Sequence, residues 1–245
     1  MAFEYPAHTK YNFTQTFHND IYRATDPTKS NLSQPGKVVL ITGSGRGIGR
    51  SVALQFAETG AASLILCART ASELDSVALR IAAINPNIKI YKYIVDVASE
   101  TAVTAMAEAV RKDIGRLDIL INNAGMTNKW DSITERDTDM YLKIWDLHIK
   151  GTYLMLKSFL PLPVETAERH NVKVDVINTT SIEGHFTFPG ASAYQASKFA
   201  LMRLSEFVVA EYGARWVNCV SLNLGGVPTG ITKDLSPEVK AGEFP

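Results

Sequence analysis

Cysteine is scarce in this chain. The two present, Cys67 and Cys219, lie in apolar, strand-like runs, and their spacing suggests neither a metal site nor a disulfide framework. They read as core thiols in a reducing compartment. An excess of charge is also missing: 25 lysines and arginines face 25 aspartates and glutamates, for a formal net charge of +0. No basic field exists to hold nucleic acid or anionic lipid. Apolar runs stay well short of the roughly eighteen residues that a membrane helix needs. The N-terminal stretch MAFEYPAHTKYNFTQTF has neither a basic nor an apolar leader region, and Glu4 and Asp20 argue against a transit peptide. These absences point to a cytoplasmic protein with no membrane and no nucleic-acid partner. Repeats, low-complexity segments and composition shifts are absent too, so the 245 residues suit one α/β domain with a full core.

What is present is an alternation. Residues 1–36 form a polar and aromatic arm without a clear period, closed by the turn signal Pro35-Gly36. From Lys37 the run KVVLIT reads as a parallel strand buried on both faces, followed at once by Gly43-Ser44-Gly45-Arg46-Gly47-Ile48-Gly49 and a helical run. Further strands are SLILCA, IKIYKYIV, LDILIN, residues 172–178 and ARWVNCVSLN, each separated from the next by a helical pattern. One long helix is expected to contain both Trp145 and Leu156, and another to begin near Ala193. Six strands in this order predict a Rossmann-like, doubly wound parallel sheet with helices on both faces.

The unusual residues fall at the carboxyl ends of these strands, where ligands bind in such sheets. The glycine loop after the first strand places backbone N–H groups at a helix N-terminus, which suits a pyrophosphate. No Lys-Ser or Lys-Thr follows it, which excludes a nucleoside-triphosphate loop. The second strand ends Cys67-Ala68-Arg69, without the carboxylate that accepts hydrogen bonds from an adenine ribose. Arg69 there and Arg46 in the loop suit a 2′-phosphate, which favours NADP over NAD. The alternative is two ordinary surface arginines. Asp96 could cap the next helix or hold an adenine amino group, and Asn122-Asn123-Ala124-Gly125 could be a turn or place Asn123 against the cofactor.

Tyr194 and Lys198, four residues apart on one helix face, form a candidate proton-transfer pair. A cation beside the phenol favours its ionised form, and bringing a tyrosine down by ~3 units takes about 4 kcal/mol. Together TGSGRGIG, NNAG and YQASK resemble the short-chain dehydrogenases/reductases, from about Lys37 to Thr229. The long aromatic arm and the GGVPT turn look most like reductases of fungal biosynthetic pathways, hence of secondary metabolism.

The resemblance implies an NADP(H)-dependent oxidoreductase that interconverts a ketone or aldehyde and an alcohol. It implies Tyr194 as general acid/base, Lys198 as its pKa partner and nicotinamide-ribose ligand, and Ser181 as the substrate-orienting hydroxyl. Gly43, Arg46, Gly47, Ile48, Gly49, Arg69, Asp96, Asn123, Tyr194, Lys198, Val227 and Thr229 are the expected cofactor contacts. A homo-oligomer, with the helix carrying Tyr194 packed on its twin, follows from the same likeness. Trp130, Phe186 and Phe188 suggest an apolar or aromatic substrate, or else a packing surface.

Three departures stand out. His148 replaces an asparagine that holds a water in the proton relay; an imidazole could hold that water or simply pack. Leu224-Gly225 replaces Pro-Gly after the last strand. Residues 231–245 read as a shortened tail in place of another helix and a seventh strand, which would leave the sixth strand an exposed edge. Those departures motivate the rival reading, a weak or inactive NADP-binding relative that acts through a partner.

Overall fold

The computed structural model describes residues 16, 18, 21–27, 29–227 and 229–232. Most of the expected arm, and the tail from 233 onward, lie outside the described residues. The end of the arm packs on the domain: Gln34 N–H donates to Thr59 O at 2.8 Å.

Six parallel strands form one sheet in the order β3-β2-β1-β4-β5-β6. They are β1 (Val38–Thr42), β2 (Ser63–Ala68), β3 (Lys89–Ile94), β4 (Ile119–Asn122), β5 (Val174–Thr179) and β6 (Val217–Leu222). The chain winds outward in one direction to β3, then returns to the centre and winds the other way. The crevice between β1 and β4 is therefore the switch point.

Every residue of central β1 is buried, which is why its sequence shows no alternation. Val39 and Ile41 face a core shared with α1 (Gly47–Glu58) and α2 (Ala71–Ile84). Val38 and Leu40 face the opposite core, built with α3 (Glu100–Asp113) and the helices that follow β4. The edge strands β3 and β6 bury alternate residues instead. Among the described residues β6 is the sheet's edge, with Val220 and Leu222 exposed.

The single long helix expected after β4 is in fact broken. It comprises α4 (Thr138–Trp145), a π-helical turn (Asp146–Gly151), α5 (Thr152–Phe159) and α6 (Pro161–His170). The wider turn inserts a residue into the 3.6-residue repeat and re-aims the side chains it carries; His148 is one of them and is 1% exposed. Pro161 starts α6 at a position where its missing N–H costs little. The sixth strand is shorter than its sequence pattern, because a 3₁₀ turn (Gly213–Arg215) precedes it and Trp216 takes a left-handed φ of 67°.

Candidate active site

The glycine loop is locked between strands. Ser44 is buried, and both its N–H and its hydroxyl reach Cys67 O, at 3.2 and 3.3 Å. Asn123 laces the end of β4 to the same loop: its Nδ2 donates to Thr42 O at 2.9 Å, and its N–H donates to Thr42 Oγ1 at 2.9 Å. A side chain at Gly49 would collide with Gly43 O and come within 2.6 Å of Asn123 Nδ2. Backbone here packs directly on backbone. Arg46 is the residue before α1 and makes no side-chain cap bond, so the leading N–H groups of α1 keep no side-chain acceptor. Uncapped donors at a helix start, beside a loop with no side chains in the way, fit a dinucleotide pyrophosphate. Thr229 reaches the loop from beyond β6, its Cγ2 lying 3.6 Å from where a Gly47 side chain would begin.

The other expected cofactor contacts lie around this crevice. Ile48 is in the first turn of α1. Arg46 is mostly exposed and 3.7 Å from Glu73, and Arg69 is exposed at the end of β2. Asp96 is exposed and holds a tight turn, its Oδ1 accepting from Ala98 N–H at 3.0 Å, while Ser99 caps α3. Val227 is 41% exposed.

Across the switch point, Ser181 ends the strand β5 segment and opens a short turn (Ile182–His185), its Oγ accepting from Glu183 N–H at 3.2 Å. Gly184 presses that turn onto α7 (Ser192–Tyr212): a side chain there would sit 3.1 Å from Phe199 N. Tyr194 lies in the first turn of α7, and Lys198 follows one turn later. The Lys198 ammonium donates to Thr179 O at 2.8 Å and stands 5.6 Å from the centre of the Tyr194 ring.

The pair is electrostatically unlike the expectation from sequence. Burial, and then the charge of Glu183, push the Tyr194 phenol up to about 12, although the Ser181 hydroxyl pulls the other way. Burial brings Lys198 down to about 8. Desolvation of the phenolate outweighs the help of a cation that is itself buried and turned toward a carbonyl. In this arrangement Tyr194 holds its proton at neutral pH.

His148 packs edge-on against Tyr194, with ring centres 5.6 Å apart. Its Nε2 accepts from Met126 N–H at 3.0 Å, and its Nδ1 lies 2.7 Å from Ser197 Oγ. Since the Ser197 hydroxyl donates to Tyr194 O at 2.7 Å, its one proton is used and His148 must carry hydrogen on Nδ1. Burial and nearby Lys198 hold this imidazole well below its ordinary pKa. Both ring nitrogens are thus taken by protein groups, the arrangement of a packed histidine rather than a water holder.

The aromatic residues gather beside the pocket mouth. Trp130 stacks on Phe188 at 5.9 Å, and Phe186 meets Phe188 edge-on at 4.9 Å. Phe188 is buried, so part of this cluster is packing. Among the described residues no group of three or more metal-binding side chains occurs, and no helix is long and apolar enough to cross a membrane.

A family model described as short chain dehydrogenase matches residues 37–240. The chain belongs to the short-chain dehydrogenase family. It is 38% identical over 244 residues to short chain dehydrogenase mpl6 of Monascus purpureus, covering 98% of this chain and 80% of that one. Among solved structures, an RhlG/NADP active-site complex from Pseudomonas aeruginosa matches with a TM-score of 0.74 and 30% identity, over 82% of this chain and 77% of that one. A 3-ketoacyl-(acyl-carrier-protein) reductase from Brucella melitensis, complexed with NADH, matches with a TM-score of 0.75 and 26% identity, over 82% and 80%. Membership makes the chain an NAD(P)-type oxidoreductase, and the likeness to fungal reductases holds at the level of whole-chain similarity.

Several site residues of the family member have no signal in a linear reading. Arg136 joins two loops, donating to Asn128 Oδ1 at 3.0 Å, to Asp131 O at 3.1 Å and to Gly190 O. A buried amide chain crosses the sheet, with Asn122 Nδ2 donating to Asn178 Oδ1 at 2.8 Å and Asn178 Nδ2 to Ser205 Oγ at 2.9 Å. Ser197 sits inside YQASK and was available to inspection, but its partner is 49 residues away.

Proposed function

We propose that this chain is an NADP(H)-dependent reductase that interconverts a ketone or aldehyde and its alcohol, acting in the cytoplasm on a small apolar or aromatic molecule of a biosynthetic route. The observation that carries this reading is the convergence of Ser181, Tyr194 and Lys198 on the crevice whose other wall is the glycine loop. The nicotinamide, when bound, supplies or accepts the hydride.

Reduction needs a proton at the carbonyl oxygen, and Tyr194 is built to give one: it is neutral at pH 7 and buried against water. Ser181, whose hydroxyl acts on the Tyr194 phenol, is the second donor to that oxygen. Lys198, brought down to about 8, remains largely protonated at neutral pH and is the counter-charge for the phenolate left behind. Alcohol oxidation uses the same groups in reverse and is favoured at higher pH, where the phenol yields its proton more readily. His148 is a positioning residue: through Ser197 it holds the backbone carbonyl of Tyr194 itself.

The preference for NADP(H) rests on Arg46, on Arg69 and on the absence of a carboxylate at the end of β2; the NADP named for the Pseudomonas relative supports it, and the NADH named for the Brucella one keeps NAD in the comparison. Phe199, Phe207 and Val209 on α7 are exposed apolar residues that suit a homo-oligomer contact.

Replacing Tyr194 by Phe tests the assignment. Turnover should fall by about a thousandfold on any accepted carbonyl, while NADPH binding, followed by its fluorescence, stays within about threefold of the parent. Full activity in the variant rejects the mechanism. Tight NADPH binding by the parent without turnover on any carbonyl would instead mark a binding protein.

A further inference from the structure

Thr70-Ala71-Ser72-Glu73 has the spacing of a capping box, in which the glutamate would fold back on its own helix. It does not behave as one. Thr70 makes no side-chain cap bond, and Glu73 crosses to the glycine loop, where its Oε1 lies 3.7 Å from Arg46 Nη1. A side chain begun at Gly45 would stand 2.8 Å from Glu73 Oε2, 2.9 Å from Glu73 Cβ and 3.4 Å from Ala68 Cβ. Three elements therefore meet at one point: the glycine loop, the end of β2 and the first turn of α2. This is the region where the fold holds an adenine ribose.

The end of β2 offers Ala68 and Arg69 and no acid, yet a carboxylate reaches the same place from the helix. Its side chain is 32% exposed, against 72% for Arg46, so the acid is the better anchored partner. From this geometry we infer that Glu73 is a specificity-determining residue that opposes Arg46 in choosing between the two dinucleotides. A carboxylate accepts hydrogen bonds from a ribose diol and repels a phosphate monoester, and a guanidinium does the reverse. A 2′-phosphate must also break the Arg46–Glu73 pair before it can use the arginine. The chain thus carries both halves of a cofactor switch, and NADP(H) preference is a balance set by Glu73. The inference rests on the dinucleotide site proposed above.

Dissociation constants for NADPH and for NADH, measured by cofactor fluorescence without substrate, test it on the parent, Glu73→Gln, Glu73→Ala and Arg46→Gln. Both Glu73 variants should tighten NADPH about tenfold and weaken NADH about threefold. Arg46→Gln should move the ratio the opposite way. If the parent binds dinucleotide and neither Glu73 variant changes the NADPH-to-NADH ratio, Glu73 plays no part in the choice and the inference alone fails. If the parent binds neither dinucleotide, the dinucleotide site itself is wrong and the inference falls with it.

Discussion

His148 Nδ1 and Ser197 Oγ lie 2.7 Å apart in a fully buried contact, and the serine passes the bond on to the backbone carbonyl of Tyr194. An imidazole on the π-helical turn is thereby joined to the first turn of the helix that carries the phenol and the ammonium. Removing it by His148→Phe leaves Met126 N–H and Ser197 unpaired in the interior. A loss of about 3 kcal/mol is expected, or a fall in Tm of about 10 °C. Because the folded pKa is depressed, unfolded chains take up more protons below about pH 6.5, and stability drains as pH falls through that range. Thermal melts across pH should show this acid limb in the parent and a flatter one in the variant.

Lys198 sets function against stability. Its ammonium is buried, and lowering the pKa from 10.5 to about 8 corresponds to roughly 3 kcal/mol of disfavoured charge at neutral pH. Lys198→Met relieves this and forfeits the bond to Thr179 O, worth about 1 kcal/mol. The variant should be more stable by about 2 kcal/mol at pH 7 and inactive. The gain is full below pH 8 and fades as pH rises toward 10.5, where the unfolded lysine also loses its proton. A variant that melts below the parent at pH 7 would contradict the buried ammonium.

Glu183 behaves in the opposite sense. Burial raises its pKa, and its Oε2 is buried without a hydrogen-bond partner. Gln195 eases the charge only in part, and its own Nε2 is also unpartnered. The folded carboxyl holds its proton longer than the unfolded one, so stability present below about pH 4.5 is lost as pH rises through the folded pKa. Glu183→Gln should match the parent near pH 4 and exceed it at pH 8. It also removes the negative charge that raises the Tyr194 pKa, so the rise of alcohol oxidation with pH should move to lower pH. An unchanged profile would separate Glu183 from the phenol.

Arg136 holds the aromatic side of the pocket by three bonds to two loops. Arg136→Ala frees the loop that carries Trp130 from the one that carries Phe188 and Gly190. KM for the carbonyl substrate should rise about tenfold with kcat changed less than about threefold. Steady-state kinetics give both numbers, and an equal fall in kcat would place Arg136 in the chemistry instead.

Much of the fold was legible because parallel-sheet proteins write their layers into the sequence. The unbroken apolar run of β1 and the stripe of Leu74, Val77 and Ile81 on α2 need no partner to be recognised. The break in the helix around His148 was not legible: Trp145 through Leu156 keeps a helical pattern, and a π turn depends on contacts with Ser197 and Met126, which are 49 and 22 positions away. Sequence spacing likewise put Tyr194 beside Lys198, but could not say that burial would win over the cation.

The sequence by itself determined the layer order, the glycine loop and the chemical identity of the acid/base groups, since these depend on residue type and short-range spacing. Tertiary structure decided the protonation of Tyr194, the closed hydrogen bonding of His148 and the crossing of Glu73 to Arg46. Each is set by desolvation or by contacts between residues 22 to 49 positions apart, and neither has a signature along the chain.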